Sequence, residues 1–345
     1  MNKLNMKQSK YDPALFIDHD KAGNVRGVVG THVDDFLLAG GQDWINHIVE
    51  KVKEHFEPGK VEQDDFLYCG HRIKQDKDGE IILSQDEFAR EVQPLVIKPE
   101  RKRQSDQAVN ETERRQIRSY AGKLGWLGRT TRPDLLFNQI EASSMVTRAT
   151  VEDLKQLAKA VGKVNQERSY IKVPKLPADA ADWTLELFTD AAWQNLKDDG
   201  STAGQVLYIS GGQVSYPVYW SVHRLRRVCP SSQTAEIMSL NEGLNDACYI
   251  RDLLVELTGQ KIQIEATIDN KNAYGAITSN TAPSCKKTRS EAARVREAVL
   301  EGEVKRIKLT SGKSQLADVL TKRKTDPKNL LDTVQTGCSV AQLGH

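Results

Sequence analysis

The order of strands and helices predicted between residues 183 and 321 is the feature that most restricts how this chain can fold. Three stretches in which apolar and polar residues alternate come first, and a long amphipathic helix follows them. Two further strands then alternate with two shorter helices. This order predicts an α/β domain with a five-stranded mixed sheet. The predicted strands are 183–189, 205–209, 213–220, 262–268 and 304–309, and the predicted helices are 234–257, 287–300 and 315–321.

The pattern before residue 93 is different and predicts an α+β unit of hairpins and one helix. Apolar residues alternate on both sides of turn-forming residues, as in β-hairpins, and the second turn is Asp78–Gly79. The segment between the two hairpins is predicted to be an amphipathic helix, because its apolar residues recur at helical spacing. The hairpins are predicted over 26–38 and over 66–73 with 80–83, and the helix over 45–56.

The pattern becomes helical from Glu111 onward. Pro133 suits the first turn of a helix, where its missing N–H is not needed, and a capping box from Thr150 to Asp153 opens another helix. Pro174 and Pro177 lie in a stretch that is typical of a linker. The predicted segments are 1–92, 93–171, a linker at 172–181, a domain at 182–325 and a tail at 326–345.

Composition excludes several classes of protein. The chain has 345 residues, of which 39% are hydrophobic and 28% charged, so it can bury a core. Its five cysteines are widely spaced without a Cys-x-x-Cys pair, which argues against a disulfide framework or a zinc site. The N-terminus lacks an apolar signal segment and no apolar run could span a bilayer. We therefore expect an intracellular protein, in the cytoplasm or nucleus, that is neither secreted nor membrane-bound. Its net charge of +2 means that any nucleic-acid binding must depend on local patches.

Four acidic residues lie where a site is expected. Asp190 and Asp269 end predicted strands, Glu236 lies in the first turn of the long helix, and Asp318 lies on the last short helix. Ligands of open α/β sheets gather at the carboxyl ends of the strands. Each acid alone has a common structural role, as a loop cap or as a partner of a helix dipole. Together they suggest a site at which four carboxylates converge.

Such a cluster suits phosphodiester hydrolysis. That reaction needs an activated water molecule and a stabilised leaving oxygen, and two Mg²⁺ ions about 3.5–4 Å apart supply both. Magnesium prefers oxygen ligands, which carboxylates provide, and Mn²⁺ is an alternative. Without metal, four such carboxylates would repel each other and their pKa values would rise.

Four motifs in this order resemble the ribonuclease H domain of copia-type (Pseudoviridae) retrotransposon Pol polyproteins. The resemblance spans residues of about 180 to 325 and implies that Asp190, Glu236, Asp269 and Asp318 bind two Mg²⁺ ions and cut the RNA strand of an RNA–DNA hybrid. It allows other parts of the polyprotein as partners and says nothing about oligomeric state. The family often has a histidine near Lys287, and this chain has none there. The motifs are Phe188–Trp193, Ser231–Glu236, Ile268–Ala273 and Leu316–Lys322.

Contacts to the hybrid are expected from two basic clusters and from three polar side chains. Basic residues can follow phosphates, and hydroxyl or amide groups can reach 2′-hydroxyls. A solvated charged face is the simpler alternative. The candidates are Arg224, Arg226, Arg227, Lys286, Lys287 and Arg289, together with Ser231, Ser232 and Asn270.

A second pair of acids, Asp34 and Asp35, lies at the tip of the first predicted hairpin. A solvated turn explains such a pair equally well. The surrounding residues resemble the reverse transcriptase palm of copia-type elements, and 120–134 resembles the segment that follows it. The resemblance implies a palm remnant over 1–92 and a helical thumb or connection over 93–171. His32 replaces the family's tyrosine, and the family's third catalytic aspartate and fingers come from sequence before this hairpin. We therefore expect that this chain cannot polymerise DNA by itself.

Two alternatives to an active ribonuclease H stay open at this point. One is a nucleic-acid-binding relic that keeps the fold but not the turnover. The other is a different ribonuclease-H-like fold, such as that of an integrase, because fold alone does not define function. The order Asp, Glu, Asp, Asp and the palm-like segment argue against the second alternative.

Overall fold

The computed structural model describes residues 6–57, 59–176, 183–279, 283 and 285–337. Its strands form three sheets, two with four strands and one with five. Among the described helices, none is both long and apolar enough to cross a lipid bilayer.

The first sheet is antiparallel and carries one helix. Trp44 and Ile48 of that helix are buried against it, and Trp44 Nε1 donates a hydrogen bond of 2.7 Å to Asp18 Oδ2. The ring fits because Gly27 and Gly40 lack a Cβ, which would lie 2.5 and 2.6 Å from it. The strand order is β1 (Lys7–Gln8), β2 (Leu15–His19), β3 (Val25–His32), β4 (Asp35–Gly40), and the helix is α1 (Gln42–Lys53).

The second sheet corrects two expectations. Residues 66–73, expected as one strand, form a hairpin with a turn at Cys69 and Gly70, whose φ angles are 50° and 77°. The expected linker also begins too early, because Lys172 and Val173 pair with Ile82 and Ile81, about 90 residues earlier in the chain. Its residues 177–181 lie outside the described part of the chain. The strands are β5 (Asp65–Tyr68), β6 (His71–Gln75), β7 (Ile81–Ser84) and β8 (Tyr170–Val173), all antiparallel.

A helical layer with its own apolar core lies between β7 and β8 in sequence. The capping-box prediction is confirmed, since the Thr150 N–H donates a hydrogen bond of 2.7 Å to Asp153 Oδ2. Pro133 opens a 3-10 turn rather than an α-helix. The fully buried Arg132 pairs with Asp134 at 2.8 Å and donates to the carbonyl oxygen of Val164, which joins two helical corners. The helices are α2 (Asp86–Glu91), α3 (Pro99–Lys102), α4 (Glu111–Gly128), α5 (Leu136–Met145) and α6 (Val151–Gly162).

The third sheet confirms the expected five-stranded mixed sheet. Its order is β11-β10-β9-β12-β13, with β9, β10 and β11 antiparallel and both β12 and β13 parallel to β9. Each of the five strands was expected, although most are longer than the pattern indicated. The strands are β9 (Thr184–Ala192), β10 (Thr202–Gly211), β11 (Val214–Arg224), β12 (Gln263–Ile268) and β13 (Arg306–Leu309).

Apolar side chains cover both faces of this sheet. Leu185 and Leu187 of β9 face the core under three helices, whereas Phe188 belongs to the core on the opposite face. The first face is covered by α7 (Ser232–Thr258), α8 (Lys271–Thr278) and α9 (Lys286–Leu300), of which α8 was not expected.

The opposite face is covered by α10 (Asp318–Thr321), α11 (Lys328–Thr336) and part of the helical layer. Trp220 Nε1 of β11 donates a hydrogen bond of 2.7 Å to the carbonyl oxygen of Gly128 at the end of α4. The expected tail from residue 326 contains α11, and its Leu330 and Val334 are fully buried. Its described part therefore completes the core, and residues 338–345 lie outside the described chain.

A glycine of β10 sets how closely α10 approaches the sheet. A Cβ at Gly204 would lie 2.7 Å from Leu320 Cβ and 2.9 Å from Thr321 Cγ2. We expect Gly204→Ala to destabilise the protein by about 1–3 kcal/mol, because α10 must move away from the sheet. Urea unfolding followed by circular dichroism measures this change.

Gly275→Ala in α8 is the matched control, because a Cβ there meets nothing within 4 Å. Replacing a glycine inside a helix where the new methyl group has room should stabilise the protein by about 0.5–1 kcal/mol. Equal effects of the two substitutions would contradict the close approach of α10.

Candidate functional site

Two of the expected acids meet because their strands are neighbours. β9 and β12 run parallel, so their carboxyl ends lie at the same edge of the sheet, with Thr267 opposite Phe188. Asp190 is two residues from the end of β9, and Asp269 follows β12 directly. Both therefore lie at the edge where ligands of such sheets usually bind.

Helices bring the other two acids to the same edge. Asp318 is the first residue of α10. Glu236 is the fifth residue of α7, two residues further along than expected, because α7 begins at Ser232. Carboxylate oxygens of Asp190, Asp269 and Asp318 all lie within 4.8 Å of one another. Glu236 lies close enough for the charges of all three aspartates to raise its pKa.

Burial and mutual repulsion raise the pKa values of Glu236, Asp269 and Asp318. Asp190 is fully buried and Glu236 is 5% exposed. Burial, together with the charges of Asp190 and Asp269, raises the pKa of Glu236 to about 9. Burial and Asp190 also raise the pKa of Asp318 to about 7, and that of Asp269 rises for the same two reasons. The cluster therefore repels itself when it has no cation.

Neighbouring side chains hold Asp190 in a defined position. The hydroxyl of Thr321 donates a hydrogen bond to Asp190 Oδ2. Ser239 Oγ of α7 donates a hydrogen bond of 2.9 Å to the Asp190 carbonyl oxygen. The Lys322 ammonium group lies 3.1 Å from Asp190 Oδ1 and 2.7 Å from Asp318 Oδ1. Burial lowers the pKa of Lys322, but these two carboxylates outweigh it and raise that pKa above its usual value. Neither Thr321 nor Lys322 was expected to have a role, although both lie in the motif Leu316–Lys322 and Lys322 is four residues from Asp318.

The residues of the cluster fit divalent metal ions. They offer only carboxylate oxygens, which are the ligands that Mg²⁺ and Mn²⁺ accept. Glu236 Oε2 is buried without a hydrogen-bond partner in the described structure. Such an oxygen is costly to bury unless something satisfies it. Gly312 leaves room beside Asp269, since even a Cβ there would lie 3.5 Å from Asp269 Oδ2.

The structure joins the two expected basic clusters into one surface. Arg227 Nη1 lies 2.6 Å from Glu291 Oε1 in α9, and the Lys287 ammonium group donates to the carbonyl oxygen of Val228. Arg226 and Lys286 are exposed beside these contacts. We call Arg226, Arg227, Lys286 and Lys287 the basic surface.

The other expected contact residues already have partners. Arg224 pairs with Asp198, and Arg289 Nε donates 3.1 Å to the carbonyl oxygen of Pro283. Ser231 caps α7 and Asn270 caps α8, each accepting a backbone N–H, whereas Ser232 is exposed. Helix capping alone accounts for the polar residue at positions 231 and 270.

Among the described residues, no third acid joins Asp34 and Asp35 in a group that could hold a metal ion. Both are exposed at the hairpin between β3 and β4, where Val33 has a φ of 53°. The acidic group that could hold a metal among the described residues consists of Asp190, Asp269 and Asp318 and does not include this pair.

Comparison with known proteins finds similar solved structures but no matching family model and no matching curated protein. The RNase H1 of the halophilic archaeon Halobacterium salinarum NRC-1 is 19% identical with a TM-score of 0.32, over 40% of this chain and 94% of that chain. LC11-RNase H1 in complex with an RNA/DNA hybrid is 14% identical with a TM-score of 0.32, over 40% and 94%. The foamy viral protease-reverse transcriptase in complex with an RNA/DNA hybrid is 14% identical with a TM-score of 0.48, over 86% of this chain and 37% of that chain.

The raised pKa values predict how stability depends on pH. The pKa of Glu236 rises from its ordinary 4.5 to about 9 on folding. Below pH 4.5 this group is protonated in both states, so it has no effect. Between the two pKa values the unfolded state loses its proton first, so stability falls as pH rises, by up to about 1.4 kcal/mol per pH unit. In EDTA we expect Glu236→Gln to be more stable than the parent by at least about 1 kcal/mol at pH 8, and equal to it near pH 4.

Glu291→Gln is the matched control for this measurement. Glu291 is also a buried glutamate, but it accepts hydrogen bonds from Arg227 and from Asn241 Nδ2 at 2.6 and 2.8 Å. Its substitution removes an ion pair and should destabilise at pH 8. A destabilised Glu236→Gln at pH 8 in EDTA would contradict the repulsion.

Proposed function

We propose that this protein is a Mg²⁺-dependent nuclease of the ribonuclease H type, which cuts the RNA strand of RNA–DNA hybrids. The observation that carries this proposal is the convergence of buried and partly buried carboxylates from two parallel strands and two helices. One glutamate oxygen among them lacks a hydrogen-bond partner among the described residues. The order of the four motifs and their resemblance to copia-type elements support the substrate class. Mn²⁺ should replace Mg²⁺, because both accept carboxylate oxygens.

Asp190, Glu236, Asp269 and Asp318 would hold the metal ions. When bound, the ions would supply an activated water and stabilise the charge that develops on the scissile phosphate. Asp190 is positioned for this task because the Thr321 hydroxyl donates a hydrogen bond to its Oδ2 atom. Glu236 would bind a cation as the carboxylate, because the positive charge offsets the burial and the repulsion that raise its pKa.

The basic surface would bind the phosphates of the hybrid. Its exposed Arg226 and Lys286 leave their charges available for phosphate contacts. Ser232 is exposed and could donate to a 2′-hydroxyl, whereas the capping of Ser231 and Asn270 limits what else those two side chains can do.

We further propose that residues 1–92 and 93–171 correspond to palm and thumb parts of a copia-type reverse transcriptase, and 182–325 to its ribonuclease H domain. The palm-like hairpin and the segment 120–134 support this assignment. The described residues bring no third acid to Asp34 and Asp35. A polymerase must align the 3′-hydroxyl and the triphosphate on metals held by a complete acid set.

Cleavage of a labelled RNA–DNA hybrid tests the nuclease. We expect the purified chain to cut the RNA strand with Mg²⁺ and not with EDTA. Asp269→Asn should lose activity about 100-fold or more, since even outer partners of metal ligands often matter 10–100-fold. Asp252→Asn is the control, because Asp252 pairs with Arg251 on α7 and lies outside the acidic cluster. A folded parent that binds the hybrid but never cuts it would favour the binding relic.

Primer extension tests the polymerase part. We expect no nucleotide incorporation by the purified chain on a primed RNA or DNA template, with Mg²⁺ or Mn²⁺. Asp34→Asn with Asp35→Asn should then leave every measured activity unchanged. Incorporation by the parent that the double substitution abolishes would overturn this proposal without affecting the nuclease.

A further inference from the structure

Lys322 lies inside the acidic cluster, although the proposed chemistry gives it no task. Its ammonium group contacts Asp190 Oδ1 at 3.1 Å and Asp318 Oδ1 at 2.7 Å. These are two of the three acids whose oxygens lie within 4.8 Å of one another. Among the described residues, Lys322 is the basic side chain that forms an ion pair with Asp190 and with Asp318.

The backbone of Lys322 is held, but the end of its side chain can move. The Lys322 N–H donates 2.9 Å to the Asp318 carbonyl oxygen, and the preceding residues pack on Gly204 of β10. The side chain is 42% exposed. A lysine has a long stem and a compact charge, so its ammonium group can leave the carboxylates without any change in the fold.

One positive charge cannot neutralise the cluster, because three aspartates face it even while Glu236 keeps its proton. Lys322 therefore reduces the repulsion within the cluster but leaves it acidic enough to attract a divalent cation. A cation held by Asp190 and Asp318 would need the oxygens that Lys322 now contacts. Two cations that need the same oxygens repel each other at such short distances.

We propose that Lys322 is a built-in counter-ion of this site, which stabilises the metal-free cluster and competes with divalent cations for Asp190 and Asp318. The proposal rests on the proposed function, because it takes the acidic cluster to be the metal site. Lys322 is thus a positioning residue that sets the metal concentration at which the site fills.

Removing this charge should have two effects of opposite sign. Without Lys322 the metal-free cluster has no counter-charge, so the protein unfolds more easily in EDTA. Divalent cations then meet no competitor, so they bind more tightly. A lysine that only oriented the acids would produce a different pair of results, since its loss would weaken both stability and metal binding.

The experiment measures Mg²⁺ binding by calorimetry and melting temperature in EDTA for the full chain. We expect Lys322→Met to melt several degrees lower in EDTA and to bind Mg²⁺ about tenfold more tightly. A tenfold change in affinity is what the loss of one pK unit of electrostatic competition from the ammonium group produces. Lys322→Gln, which keeps a polar group without the charge, should behave in the same way, and Lys322→Arg should resemble the parent. Mn²⁺ binding followed by electron paramagnetic resonance gives an independent affinity.

Lys308→Met is the matched control. Lys308 also bridges two carboxylates of β9 and β12, at 2.5 Å from Glu265 Oε2 and 3.6 Å from Glu186 Oε1, and its side chain is 34% exposed. Its loss should lower the melting temperature but leave Mg²⁺ affinity unchanged, because those glutamates are not part of the acidic cluster.

Unchanged or weaker Mg²⁺ binding by both Lys322→Met and Lys322→Gln would overturn the proposal and leave the proposed nuclease intact. A parent that binds no Mg²⁺, and whose Asp269→Asn variant is calorimetrically identical to it, would overturn both. Tighter binding by the uncharged variants, with Lys308→Met unaffected, would support the counter-ion.

Discussion

The parallel pairing of β9 with β12 is the constraint on which the rest of this structure depends. It places two strand ends at one edge of the sheet. Asp190 and Asp269 therefore become neighbours, although the 78 residues 191–268 separate them in sequence. β9 also contributes to the cores on both faces of the sheet, through Leu187 on one side and Phe188 on the other. A strand packed so fully on both faces is a rigid support for a buried carboxylate.

The two ends of the same strands show how differently a buried acid can be treated. At the far end, burial raises the pKa of Glu265, but hydrogen bonds from Lys308 and two further basic residues outweigh burial and lower that pKa to about 2. At the other end the acids outnumber their single ammonium partner, and the pKa of Glu236 rises to about 9. The first arrangement stabilises the sheet, whereas the second is unfavourable without a cation and is typical of functional sites. The fold therefore supplies stability elsewhere, in the two apolar cores, and tolerates repulsion at this edge.

Local patterns predicted the elements whose residues carry their own signal. Alternating strands, the amphipathic α7 and the capping box at Thr150 were all expected. The spacing of apolar residues and the pairing of a helix cap both depend on residues that are close together in sequence. The misses share a different cause. β8 forms only because β7 supplies a partner from far away in sequence, and α11 is a helix whose Leu330 and Val334 are buried on a sheet that local reasoning could not place. Likewise, residues 66–73 form two strands because of a turn with a positive φ at Cys69. Cysteine rarely adopts a positive φ, so the residue type does not predict this turn.

The sequence by itself determined the chemistry of the residues in the candidate site and the order in which they occur, since these need only residue type and local spacing. It also determined that two of the acids would lie close to the carboxyl ends of strands. Only the tertiary structure decided that three aspartates share one small volume, that Glu236 keeps an oxygen without a partner among the described residues, and that Lys322 enters the cluster. It also showed Ser231 and Asn270 to be helix caps. The physical reason is that distance, burial and repulsion depend on packing between segments far apart in sequence, and no local pattern contains those quantities.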